Sequence, residues 1–162
     1  TALMGRDWWD IDPASKHLSA SQTRLLYGEE FWNSYLKFTV VRNPWDRTVS
    51  MWATGWWHAA PPSRDQGDFR NFVCQLRPHP HERYGSLSYH EILDEPIDRV
   101  LRFERLAEDF RTLLRDIGSP DVPLPHRERR NRGNYRDYYD PETRDLVGRL
   151  FARDIEQYGY SF

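Results

Sequence analysis

The chain has 162 residues, with 23 lysines and arginines against 25 aspartates and glutamates, for a net charge of −2. That length allows one domain with a real core, and the charge balance excludes the global basic field of a nucleic-acid binder. A single cysteine, Cys74, excludes an internal disulfide, and no apolar run reaches the length of a membrane span or signal-peptide core.

Residues 1–12 hold Trp8 and Trp9 without a clear period and read as an irregular lead-in whose tryptophans pack on the domain. A helix is predicted from about Ser21 to Trp32, with Leu25, Leu26 and Trp32 as its buried side. The run Phe38-Thr39-Val40-Val41 is apolar and β-branched, as in a buried strand, and ends in Arg42. Asn43 fits a helix N-cap and Pro44 the first helical position. They open an amphipathic helix to about Trp57, with Val49, Met51, Trp52 and Trp56 on its apolar side. Such a corner would point backbone N–H groups and the positive end of the helix dipole at an anion. Arg42 can grip a phosphate bidentately there, and Ser50, about two turns along the helix, can offer a hydroxyl. The plain alternative is an ordinary strand–helix junction with Arg42 in a surface ion pair.

Trp56 and Trp57 point in different directions on a helix, so one of them is a candidate lining for an acceptor cleft, whereas Trp52 reads as core. Residues 59–67 read as a loop, followed by a helix from Asp68, its N-cap, to Leu76 that buries Phe69, Phe72 and Val73. His79, His81 and Glu82 lie among prolines without zinc-type spacing, and residues 77–82 read as a loop rather than a metal site. Residues 98–102 read as a short strand turning through Phe103-Glu104-Arg105-Leu106 into a helix that runs to Ile117 and stops at Gly118. Phe110, Leu113 and Leu114 are its inner residues, and Glu104 reads as structural, capping or pairing at the sheet's rim. His126 to Arg136 carries five arginines and is either a polyanion-binding loop or a solvated charge run. Asp140 and Pro141 open a C-terminal helix with Leu146, Val147, Leu150, Phe151, Ile155 and Tyr158 facing the core.

The stretch from Arg42 to Ser50, Arg-Asn-Pro-x-Asp-Arg-x-x-Ser, resembles the 3′-phosphate-binding motif of sulfotransferases that use 3′-phosphoadenosine 5′-phosphosulfate (PAPS). It is most similar to the branch of carbohydrate sulfotransferases and their bacterial relatives. The aromatic-Glu-x-Leu turn at Phe103 to Leu106 and the C-terminal helix resemble the same branch, so the likeness runs from about His17 onward. The resemblance implies an α/β fold with a parallel sheet flanked by helices, of the P-loop type. It also implies PAPS as donor, PAP as product, no metal, and a hydroxyl acceptor, that of a carbohydrate in the branch it resembles. Arg42 and Ser50 would hold the 3′-phosphate. Arg130, Arg132 and Gly133 fall where the family has a basic, glycine-containing loop that closes over that phosphate. His17 stands one helix upstream of the Arg42 strand, where the family places its general base. An imidazole titrating near neutral pH suits that task; a surface or helix-capping histidine is the alternative.

The pattern departs from the family in one place. No Lys-x-Gly-Thr/Ser loop, whose lysine would neutralise the leaving oxygen, is present, and Lys16 lacks the glycines. The expectation is a single domain over 1–162, truncated at the N-terminus, that transfers sulfate poorly by itself because leaving-group stabilisation is missing. The alternatives are a non-catalytic nucleotide- or glycan-binding relative, or a kinase-like phosphoryl transferase, which would need a Walker-type loop. The partners expected are a small-molecule nucleotide and a hydroxyl acceptor, with no nucleic acid and no membrane segment. The setting expected is a bacterial cytoplasm, with the Golgi lumen as the alternative.

Overall fold

The computed structural model describes residues 18–54, 66–77, 88–124 and 133–162. The expectations placed on Trp8 and Trp9, His17, Trp56 and Trp57, the histidines of the 77–82 loop, and Arg130 and Arg132 lie outside the described residues. The chain divides into two compact units, Thr1–Leu36 with Arg77–Ile97, and Lys37–Leu76 with Asp98–Phe162.

In the first unit, Ser19 caps helix α1 (Ala20–Tyr27) through a reciprocal capping box with Gln22. Gly28, at φ 87°, ends α1 and precedes α2 (Glu29–Ser34), so the one helix expected over 21–32 is two. The anchored face of α1 is polar. Ser21 donates to the Asp94 carboxylate through its N–H at 2.8 Å and its hydroxyl at 2.5 Å, and Arg24 pairs with Glu29 and Glu95. Leu25 and Leu26 are 87% and 58% exposed, which corrects the expectation that they are buried.

In the second unit, β1 (Phe38–Val41) pairs in parallel with β2 (Arg99–Arg102), in register from Phe38↔Arg99 to Val41↔Arg102. Parallel neighbours require a long crossover, which residues 42–98 supply. Asp98 fastens the start of the pair, accepting from Lys37 N at 2.8 Å and pairing with Lys37 Nζ at 2.9 Å. A helix-rich body around a small parallel sheet is compatible with the α/β class.

Helix α3 (Pro44–Thr54) follows β1 and buries Trp45, Val49 and Trp52 against α4 (Gln66–Gln75) and the C-terminal helices. Val41, Val49, Phe69, Val73 and Val147 are fully enclosed, whereas Val40 and Met51 are half-buried and Phe38 is exposed, which corrects the expectation that the whole β1 run is buried. Phe69 meets Trp52, Tyr138 and Tyr139 edge-on at 5.0–5.8 Å, the geometry aromatic quadrupoles favour. Because α4 begins at Gln66, Asp68 lies inside the helix and is not its N-cap, which corrects that expectation.

A 3₁₀ turn (Phe103–Arg105) links β2 to α5 (Leu106–Asp116), which buries Leu113 and Leu114 and ends before Gly118 at φ 67°. At the C-terminus, Asp140 caps α6 (Pro141–Leu150) with Pro141 in its first turn, as the sequence predicts. A break at Phe151 starts α7 (Ala152–Tyr158). Val147, Phe151 and Tyr158 are buried, whereas Leu146, Leu150 and Ile155 are half-buried. Among the described residues no helix is long and apolar enough to cross a membrane.

Candidate functional site

The site is the corner where β1 passes into α3. Asn43 is the N-cap, as expected: its Oδ1 accepts from Trp45 N at 3.0 Å and Asp46 N at 3.4 Å, and its carbonyl accepts from Arg47 N at 2.8 Å. Its amide side chain donates to the Ser161 carbonyl at 2.8 Å, tying the corner to the C-terminal tail. With Asn43 only 8% exposed, these bonds lie mostly out of reach of water.

The Asn43 backbone N–H donates to Glu104 Oε1 at 2.6 Å. This carboxylate comes from the 3₁₀ turn that follows β2, and Tyr160 donates to its other oxygen at 3.3 Å. The expectation that the helix N-terminus offers its backbone donors to a ligand is therefore corrected. Asn43 and Glu104 already satisfy the donors at the head of α3, so an anion here must be held by side chains.

Arg42 is the side chain so placed. Its Nε donates to Asp46 Oδ2 at 2.6 Å across one helical turn, with the two side chains only 14% and 17% exposed. Its guanidinium lies over the Phe103 ring, 4.0 Å from the centroid, within the range of a cation–π contact. Arg42 is thus held by a carboxylate and an aromatic face; the ion pair is also what the plain strand–helix junction expects, and the ring contact adds to it. Ser50 is half-buried on α3. It follows Asp46 at i+4 and so falls on the same side of that helix.

Gly133 sits at φ 69°, in the left-handed region that favours glycine, immediately before Asn134. Asn134 caps the 3₁₀ turn Tyr135–Tyr138 by accepting from Arg136 N. The basic stretch therefore delivers Tyr135 to the corner. Withdrawal from water pushes the Tyr135 hydroxyl above its ordinary pKa; Arg136 opposes this, and the Asp46 and Glu104 carboxylates add to it. Sequence reasoning singled out neither Tyr135 nor Phe103 as part of this site. Phe103 was legible only as the aromatic of the Phe-Glu-x-Leu turn, and Tyr135 carried no separate signal.

Beside the corner, an open cleft of about 540 Å³ is lined by Asn43, Arg102, Glu104, Arg105 and residues 159–161. It lies at the carboxyl ends of the two parallel strands, where open α/β sheets receive ligands. Arg102 is engaged there, donating to the Tyr158 carbonyl and lying 5.0 Å from the Tyr160 ring centroid.

No curated protein matches the chain, and no solved structure matches it. The model of the sulfotransferase family matches residues 12–161, a span that takes in both strands, the corner and the C-terminal helices. On that match, the chain belongs to the sulfotransferase family.

Proposed function

We propose that this chain is a PAPS-dependent sulfotransferase that moves a sulfuryl group to a hydroxyl, of a carbohydrate, by in-line displacement at sulfur. The observation that carries the reading is Arg42, fixed by Asp46 and Phe103 at the mouth of the β1–α3 corner. A planar guanidinium held in this way is preorganised for a phosphate, which would share it with Asp46. Ser50, on the Asp46 side of α3, would complete the grip on the 3′-phosphate. Arg130, Arg132 and Gly133 would close over the same group, and the left-handed turn at Gly133 suits a chain that folds back at this point. His17 would take the proton of the acceptor hydroxyl as that oxygen bonds to sulfur. The donor supplies an activated sulfuryl group; the chain's part is to position it and to balance its charge.

Calorimetry with adenosine 3′,5′-bisphosphate tests the grip. Arg42→Ala should weaken binding by about 1.5–3 kcal/mol, the range for hydrogen bonds to charged groups; equal affinities would refute the assignment. A second reading, a nucleotide-binding relative without turnover, rests on the same Arg42 grip. Bisphosphate binding without sulfate transfer would select it.

A further inference from the structure

We infer that Glu104 is a positioning residue for the phosphate grip: seated on the Asn43 amide, it fixes the peptide from which Arg42 projects and thereby sets the preference for a 3′-phosphorylated nucleotide. This rests on the reading of Arg42 given above.

The geometry is specific. The nitrogen that donates to Glu104 Oε1 at 2.6 Å is bonded to the carbonyl carbon of Arg42. Holding that nitrogen restrains the backbone torsion that aims the Arg42 side chain. The neighbouring residue, Phe103, lies under the guanidinium at 4.0 Å. Two consecutive residues of one 3₁₀ turn thus hold Arg42 at both ends, one at the main chain and one at the tip. Glu104 takes the one donor that the Asn43 side chain leaves over, the N-cap's own N–H, so its capping bond and its hold on the Arg42 peptide are the same bond. Tyr160 bonds the second carboxylate oxygen at 3.3 Å and steadies the group from the C-terminal tail. A grip aimed in this way loses little freedom when a phosphate arrives, whereas a loosened one must give up that freedom on binding.

The test is the ratio of affinities for adenosine 3′,5′-bisphosphate and adenosine 5′-monophosphate, measured by calorimetry on the 162-residue protein and its variants. Glu104→Ala should lower bisphosphate affinity roughly tenfold, as loss of one charge-assisted contact implies, and leave the monophosphate unchanged. Glu104→Gln keeps an oxygen on the Asn43 N–H and should restore most of the ratio. A purely structural role would weaken both nucleotides alike and leave the ratio at its wild-type value, which would overturn the inference. If Glu104→Ala does not fold, Glu104→Asp, one methylene shorter, must show the same fall in ratio; a wild-type ratio there also overturns it. Arg42→Ala in the same assay separates the two levels. If it leaves the ratio intact, the phosphate reading itself fails; if it erases a ratio that Glu104→Ala preserves, only the positioning role fails.

Discussion

Asn43→Ala removes two kinds of bond at once, and the structure sets the size of each. The Asn43 side chain caps α3 by accepting from Trp45 N at 3.0 Å and Asp46 N at 3.4 Å. Loss of an asparagine cap costs typically about 1 kcal/mol. The same side chain donates to the Ser161 carbonyl at 2.8 Å, and because Ser161 is exposed, its carbonyl can turn to water, so losing that bond adds about 1 kcal/mol. The sum, about 2 kcal/mol, corresponds to a fall in melting temperature of roughly 4–8 °C for a chain of this size. Urea unfolding followed by circular dichroism reads the change as a lower midpoint at unchanged slope. Asn43→Asp keeps the cap but cannot donate to Ser161 and faces the Glu104 carboxylate, so it should recover only part of the loss. A cost below about 0.5 kcal/mol for Asn43→Ala would refute the claim that this residue ties corner and tail together, because each bond alone is worth more than that.

Two further outcomes follow from the C-terminal elements. Gly159 closes α7 at φ 62° with nothing within 4 Å of where a Cβ would stand, so Gly159→Ala meets backbone strain alone and should cost about 1–2 kcal/mol by urea unfolding. Asp140 lies below the usual carboxylate pKa because the Thr143 N–H, then its hydroxyl, and then Arg70 hydrogen-bond the charged form. A depressed folded pKa contributes stability that is present above the unfolded value near 3.8 and is lost as pH falls through the folded one. The urea midpoint should therefore drop below about pH 4, and Asp140→Asn should flatten that drop.

The corner was legible in the sequence because its determinants are local. A β-branched run, an asparagine and a proline specify strand, cap and first turn within a few residues, and each is found where those rules place it. The Glu104 bond was not legible as a particular partner, since 61 positions separate it from Asn43 and only the pairing of β1 with β2 brings the two together. That same bond overturned the expectation of open backbone donors at α3. Leu25 and Leu26 were misread for a related reason. Periodicity finds apolar positions, but what packs on α1 comes from Asp94 and Glu95, some 70 residues on, and these partners are polar. Asp68 failed as a cap because α4 already begins at Gln66.

Charge around the corner bears on what kind of phosphate site the proposed reading requires. Arg42 stands beside Asp46, and Glu104 sits one peptide away, so two carboxylates temper the guanidinium of Arg42. The Tyr135 hydroxyl already registers both carboxylates, with Arg136 as the opposing charge. The Arg136 guanidinium is itself laid over the Tyr135 ring at 4.8 Å and near Phe162 at 5.7 Å, so the described end of the arginine-rich stretch is fastened to this neighbourhood. With the chain at −2, no global field draws phosphate in over distance. On the proposed reading, preference for a 3′-phosphate would then come from short-range fit: a guanidinium held in one plane, a hydroxyl two turns along, and a main chain that restrains the arginine. Fit of that sort is set by whatever holds the peptide and the ring on either side of Arg42, which is why one turn after β2 matters as much to the site as the motif after β1.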